Sequence, residues 1–412
     1  MRCINSDEFN IADYIRAGDA VICGQGTAEP LGLTQALVHA AAEIDDLSVF
    51  LGMGFSDSFL SDKASNLKFR SFGAIGTTAK LARAGRVDII PCHYTDLFES
   101  IARGDLAFDV VLLQLSGNTS KGLNMGLAND YVGLAARKAR TVIAEINADV
   151  PWCHGAQLPT DIKVDVLVQA QTSPLELQPA AAAETEQRIA SHVSELIVDG
   201  AVLQLGIGSI PDAVLAGLGH HRNLGIHSGV IGDRVLDLIE KGVITNSQKS
   251  LDTGVSICGN LLGTQRLYQF ANENPAIVLR SALYTHALNT LSQLDNLVAL
   301  NSAIEVDLSG QVNAETANGI HLGAVGGQID FSRGANASHG GKAIIALPST
   351  AKHGSISRIV PQLTNVTCAR SDVDLVVTEW GIANLRGASL SERAQRLINI
   401  ASPEFRDELS KA

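Results

Sequence analysis

Three glycine-rich turns are the parts of this chain best suited to chemistry. GQG at Gly24–Gly26, GIG at Gly206–Gly208 and GAVGG at Gly323–Gly327 each follow an extended apolar segment. Glycine lets neighbouring backbone N–H groups converge, and such donors can hold an anion or the oxyanion of a thioester carbonyl. A plain tight turn uses the same residues. Neither GxG completes GxGxxG. The acids after the first one (Glu43, Asp45, Asp46) precede the next strand instead of ending it, so a nicotinamide cofactor is disfavoured. GNTSKG at Gly117–Gly122 lacks the GKS or GKT ending of a phosphate-binding loop and reads as a loop. No serine sits in a GxSxG elbow. His220 and His221 are adjacent, which does not put two zinc ligands on one helix face. The six cysteines are scattered without a CxxC pair and are expected to be reduced and buried, with no metal site.

These turns need elements to position them. Strand-length apolar runs recur at 19–23, 47–51, 110–115, 141–146, 164–168, 201–205, 297–301, 343–347 and 373–378. Many are unbroken rather than alternating, as expected of strands covered on both faces. Helices are expected over 30–43 and 211–218, each opening on a proline. The alternation argues for an α/β fold with mainly parallel sheets. Residues 18–37 and 200–215 repeat one pattern: apolar strand, GxG turn, proline, amphipathic helix. Two related domains are therefore expected, 1–184 and 185–412, joined through the proline- and alanine-rich stretch 171–184.

Composition narrows the function classes. With 46% apolar and 18% charged residues over 412 positions, the chain can bury a large core. A net charge of −12 and no basic stretch argue against nucleic acid, though local donors can still bind a phosphorylated ligand. The first ten residues carry no apolar signal core, and no run of ~18 apolar residues suggests a membrane span. The cytoplasm is the expected compartment.

Eight segments together carry a family likeness. They are GQGTAEP (24–30), GRVDIIPCHYTD (85–96), LQLGIGSIPDAVL (203–215), LGIHSGVIGD (224–233), NSAIEVDLSGQVNAE (301–315), GAVGGQIDF (323–331), LPSTAK (347–352) and VVTEWGIANLRG (376–387). With these the chain resembles the acetyl-CoA hydrolase/CoA-transferase family, including 4-hydroxybutyrate and succinate:acetate CoA-transferases. The resemblance implies two related open α/β domains with the active site between them. It also implies a homodimer, no bound cofactor, and a coenzyme A thioester and a small-molecule acceptor as ligands. In the family a glutamate carboxylate attacks the thioester and passes through an acyl anhydride to a glutamyl-CoA thioester. The resemblance makes Gly326 and Gly327 candidates for the oxyanion hole. It makes Gly24, Gly26, Gly206, Gly208 and Gly323 candidates for ligand-facing turns. Asn313 becomes a candidate donor to the thioester oxygen or a strand-end asparagine, and Lys352 a partner for a CoA phosphate or a surface lysine.

One position departs from the pattern. Asn274-Pro275 at one end and Tyr284-Thr285-His286 at the other fix the register, and Val278 stands where the family's glutamate belongs. Valine cannot attack a thioester, activate water or accept CoA. Three readings follow. Another acid serves, with Glu305, Glu315 and Glu379 as candidates, Glu379 being equally readable as a capping or ion-paired residue. Or the thioester is hydrolysed, its acyl group passed to a non-carboxylate acceptor, or used in carbon–carbon bond chemistry, with Ser256, Cys258, Ser281, Tyr284 or His286 recruited. Or the protein binds CoA or a partner without catalysis.

Overall fold

The structure, a computed structural model, describes residues 3–412. The chain divides into two compact units. The first comprises 3–177 with two later excursions, Gly259–Leu283 and Ile320–Ala324; the second comprises Gln178–Cys258, Tyr284–Gly319 and Val325–Ala412.

In the first unit eight strands form one parallel sheet. They are β1 (Cys3–Ile4), β2 (Ala20–Cys23), β3 (Ser48–Leu51), β4 (Lys68–Ser71), β5 (Val87–Ile89), β6 (Val110–Ser116), β7 (Thr141–Asn147) and β8 (Val166–Gln169), in the order β1-β8-β7-β6-β2-β3-β4-β5. Strand β6 explains the unbroken apolar runs. Val111 and Leu113 enter one core with Phe98 and Tyr131, while Val110 and Leu112 enter another with Leu33 and Val49. Both faces are therefore covered, the condition for a parallel sheet. Helices α1 (Leu31–Ala40) and α2 (Tyr94–Arg103) supply much of that cover.

The second unit begins at Gln178, and its first helix is α3 (Glu184–Leu196). Its sheet holds β9 (Val202–Leu205), β10 (Gly225–Ile226), β11 (Leu297–Ser302), β12 (Lys342–Ala346), β13 (Leu375–Thr378) and β14 (Gly381–Asn384), in the order β10-β9-β11-β12-β13-β14. Only β13 and β14 pair antiparallel. Helices α4 (Ser209–Gly217), α5 (Gln328–Ala337) and α6 (Leu390–Ile400) follow. Pairing of Leu205 with Leu300, Ser302 with Ala346 and Ala346 with Val377 aligns the carboxyl ends of β9, β11, β12 and β13. In open α/β sheets ligands bind at that end.

The prolines sit differently from expectation. Pro30 is the residue before α1, and Pro211 is the third residue of α4. The latter is tolerated because the first four helical N–H groups have no intrahelical partner. None of the cysteines is in a disulfide among the described residues. Cys23, Cys153, Cys258 and Cys368 are buried as expected, but Cys92 is half-buried and Cys3 is exposed, since it lies in edge strand β1.

Candidate functional site

In the first unit the glycine turns fasten to one another. Gly24 N–H donates to Leu112 O at 3.2 Å and Gly26 N–H to Met53 O at 2.7 Å. The intervening Gln25 N–H faces the Asp130 carboxylate. The Gln25 side chain continues the ledge, accepting from Met53 N–H at 3.1 Å and donating to Tyr94 Oη at 2.5 Å. Beside it Gly54 N–H donates to Ile75 O, and Gly54 O accepts from Thr77 N–H. The amides of Gly24 and Gly26 are thus committed inside the ledge, and these glycines shape the turn. Burial pushes the Asp130 carboxyl up to about 6 against the pull of the Val132 and Gln25 N–H groups. Glu29 is also raised by burial, although Ser56, Thr34 and Ser58 hydroxyls oppose it.

Val278 lies in a short strand, Ile277–Leu279, beside residues 154–155. Leu279 N–H donates to His154 O at 2.8 Å. Val278 is half-buried, and its Cγ1 would be 2.9 Å from a Cβ on Gly155. Its hydrocarbon branches offer no nucleophile. Ser281 belongs to this unit, as does Gly323, whose carbonyl accepts from Ala74 N–H at 2.8 Å.

In the second unit two helix starts differ from that ledge. Gly206 N–H is committed to Leu300 O at 3.0 Å. Gly208, which precedes α4, has no hydrogen-bond partner for its N–H among the described residues, and no side chain caps the helix. At α5, Gly327 precedes the helix and no side chain caps it, while Gly326 takes part in a β-bridge that commits one N–H of the Gly326–Gly327 pair. Gly326 sits at φ +53°, the left-handed region that glycine adopts without strain. A free N–H at such a helix start, with the positive end of a helix dipole behind it, suits an anion or a developing oxyanion.

Behind Gly327 is His286. A Cβ on Gly327 would lie 2.5 Å from both Cδ2 and Nε2 of its ring. The ring also contacts Phe331, with centroids 4.3 Å apart, and its Nδ1 lies 2.8 Å from Thr285 Oγ1. Burial, then neighbouring His227, pushes His286 down to about 3. Burial, then Lys249, pushes His227 down to about 4, while burial pushes Lys249 down to about 8. Both imidazoles are neutral at pH 7. Tyr284 donates to Asp252 at 2.8 Å, Ser256 accepts from Asn246 at 3.0 Å, and Cys258 is fully buried.

The candidate acids of the second unit are engaged. Glu379 accepts Ser349 N–H at 2.8 Å and Ser349 O–H at 2.7 Å, one bond on each oxygen. Glu305 accepts the Asn313 amide at 3.1 Å, and Glu315 accepts Thr367 O–H at 2.6 Å. Asn313 itself donates to Glu305 and to Thr316 O, and accepts the Glu315 and Thr316 N–H groups, so it builds its own turn. Lys352 is exposed at a hairpin tip, where it and His353 both have positive φ, +48° and +56°. Sequence reasoning missed Ser349, the partner of Glu379, Gly229, which flanks the His286 ring, and the Gly52–Gly54 turn. The last was visible as GMG.

The fold and the uncapped glycine turns of the second unit define an α/β protein of CoA-transferase architecture. Family models agree: the acetyl-CoA hydrolase/transferase N-terminal domain matches residues 3–174 and the C-terminal domain matches 263–412. The 4-hydroxybutyrate coenzyme A transferase of Clostridium kluyveri is 40% identical over 395 residues, covering 94% of this chain and 92% of that protein. The crystal structure of RipA from Yersinia pestis superposes with a TM-score of 0.92 at 33% identity, covering 100% of this chain and 96% of that one. The 4-hydroxybutyrate CoA-transferase of Porphyromonas gingivalis gives 0.84 at 34%, with the same coverage. This chain belongs to the acetyl-CoA hydrolase/transferase family.

Proposed function

We propose that this protein handles acyl-CoA thioesters without a glutamyl-CoA intermediate, hydrolysing them or passing the acyl group to a non-carboxylate acceptor. The observation that carries the reading is Val278, a hydrocarbon side chain on the strand Ile277–Leu279, where the family resemblance expects the nucleophilic glutamate. The engagement of Glu305, Glu315 and Glu379 supports it. A carboxylate already accepting hydrogen bonds has its anion stabilised and is a weaker nucleophile.

In this reading the N–H of the Gly326–Gly327 turn that the β-bridge leaves over receives the thioester oxygen as it gains charge. Oxyanion stabilisation needs no covalent partner from the protein, so it survives the loss of the glutamate. In hydrolysis a water oxygen bonds to the carbonyl carbon, the C–S bond breaks, and CoA leaves as the thiol with a free carboxylic acid. Gly208 at the start of α4 is a second anion-facing donor, suited to a ligand phosphate. A cytoplasmic homodimer belongs to the same reading on family resemblance.

The test is product analysis by mass spectrometry with a panel of short acyl-CoAs, 4-hydroxybutyryl-CoA among them because of the relatives' activity. Each is run with and without acetate or succinate. Free CoA and carboxylic acid in the absence of acceptor support hydrolysis. A new acyl-CoA that forms only with a carboxylate acceptor contradicts the proposal. Unchanged thioester in every mixture, with CoA bound, leaves a binding protein.

A further inference from the structure

His286 occupies a slot between two glycine backbones of the second unit. A Cβ on Gly229 would lie 3.0 Å from its Cε1 and 3.1 Å from its Nε2, and one on Gly327 would lie 2.5 Å from Cδ2 and Nε2. The Nε2 edge therefore fills the space that two side chains would otherwise claim. The ring has little freedom, being held by Thr285 Oγ1 at Nδ1 and by the Phe331 ring. It is 5% exposed, and its neighbour Thr285 is tied by its carbonyl to His227 Nε2 at 3.1 Å.

Each flank of the slot leads to a glycine turn. Ser228, beside Gly229, exchanges hydrogen bonds with Leu205: its Oγ accepts the Leu205 N–H and donates to the Leu205 carbonyl, both at 3.3 Å. Leu205 is the last residue before the Gly206–Gly208 turn and α4. On the other flank Gly327 starts α5. One imidazole thus spaces the supports of the two uncapped helix starts. Because the ring is neutral at ordinary pH, it does this as a shape, with no charge to repel the helix dipoles.

We propose that His286 is a positioning residue that wedges Gly229 and Gly327 apart and so aims the N–H that the Gly326–Gly327 turn leaves free at the thioester oxygen. It touches no reacting atom. The aim at a thioester rests on the function proposed above; the wedge itself does not. Removing the ring lets the Gly327 backbone relax into the slot and turns the donor away.

The experiment compares the parent with His286→Ala, His286→Gln and Thr285→Val. The first readout is the glycine-selective ¹⁵N–¹H spectrum of the ligand-free proteins. The Gly229, Gly326 and Gly327 resonances should move in His286→Ala while glycines of the first unit stay. The second readout is acyl-CoA turnover and CoA affinity. His286→Ala should lose about 100-fold in kcat, the scale of one lost oxyanion donor, with KM and CoA affinity within about threefold. His286→Gln, which keeps a planar polar group, should recover part of the loss; it is read alone if His286→Ala does not fold. Unmoved Gly326 and Gly327 resonances in a folded variant would overturn the wedge, as would equal losses in kcat and CoA affinity. If the parent turns over no acyl-CoA, the functional reading fails while the resonances still decide the wedge.

Discussion

The tight approach of His286 to Gly327 makes Gly327→Ala a sharp perturbation. Gly327 has φ −89°, which alanine adopts freely, so backbone strain does not enter. The added Cβ would sit 2.5 Å from two ring atoms, against ~3.5–4.0 Å for an ordinary contact. About 1 Å of overlap must be relieved, and the ring is held by Thr285 and Phe331. Overpacking of this kind costs about 1–3 kcal/mol. Gly229→Ala, at 3.0 Å, should cost less. The assay is urea denaturation read by hydrogen exchange of peptides from α5, so that the second unit is followed by itself. A double-mutant cycle isolates the contact, because with His286→Ala the new methyl group enters the vacated slot. The pair should be more stable than the two single costs added together. Strict additivity, or a Gly327→Ala protein as stable as the parent, would refute the packing argument.

Four further outcomes follow from the geometry. Val278→Glu should allow a glutamyl-CoA thioester at residue 278, which borohydride reduces to the side-chain alcohol with release of CoA, detected by peptide mass; a folded, CoA-binding variant with no reduced residue 278 would count against an otherwise preserved site. Lys352→Gly and His353→Gly should each stabilise the protein by about 1 kcal/mol in thermal unfolding, because each relieves a left-handed non-glycine backbone. Ser349→Ala should leave Glu379 without the hydroxyl donor and cost about 1–2 kcal/mol in chemical denaturation. Acid should act oppositely on the two units. His227 and His286 are depressed to about 4 and 3, so the unfolded chain binds more protons below pH 6.5 and the second unit loses stability there, on the order of 2 kcal/mol for each histidine by pH 5. Asp130 is raised to about 6, so the folded first unit holds its proton more tightly and gains stability as pH falls through 6. Hydrogen exchange at pH 5 and pH 7 compares the two directly, and earlier loosening of the first unit would contradict these shifts.

Much of the fold was legible because burial on both faces writes itself into sequence. Strands such as β6 and β7 are apolar runs with little interruption, and the expected spans overlap the observed ones. Strand β4, reading KFRS, and β5, reading VDI, escaped because both are short and carry charges near the end of the sheet. The excursion Gly259–Leu283 into the first unit escaped for another reason: no composition shift marks it, and only its contacts assign it. Glycine spacing revealed the turns but could not tell free donors from committed ones. Whether Gly26 N–H is available depends on Met53 O, and whether Gly206 N–H is available depends on Leu300 O, both remote in the chain. Asn313 and Glu379 were found by motif, yet their hydrogen bonds to Thr316 and Ser349 need coordinates. The His286 slot joins residues 229, 286 and 327, a juxtaposition that no local pattern encodes.

The most direct test of the account is to incubate the protein with acyl-CoA, reduce with borohydride, and map the peptides by mass. The account predicts consumption of the thioester with no CoA adduct and no glutamate reduced to its alcohol. A reduced glutamate, whether Glu305, Glu315, Glu379 or another, would contradict it and return the protein to conventional CoA transfer.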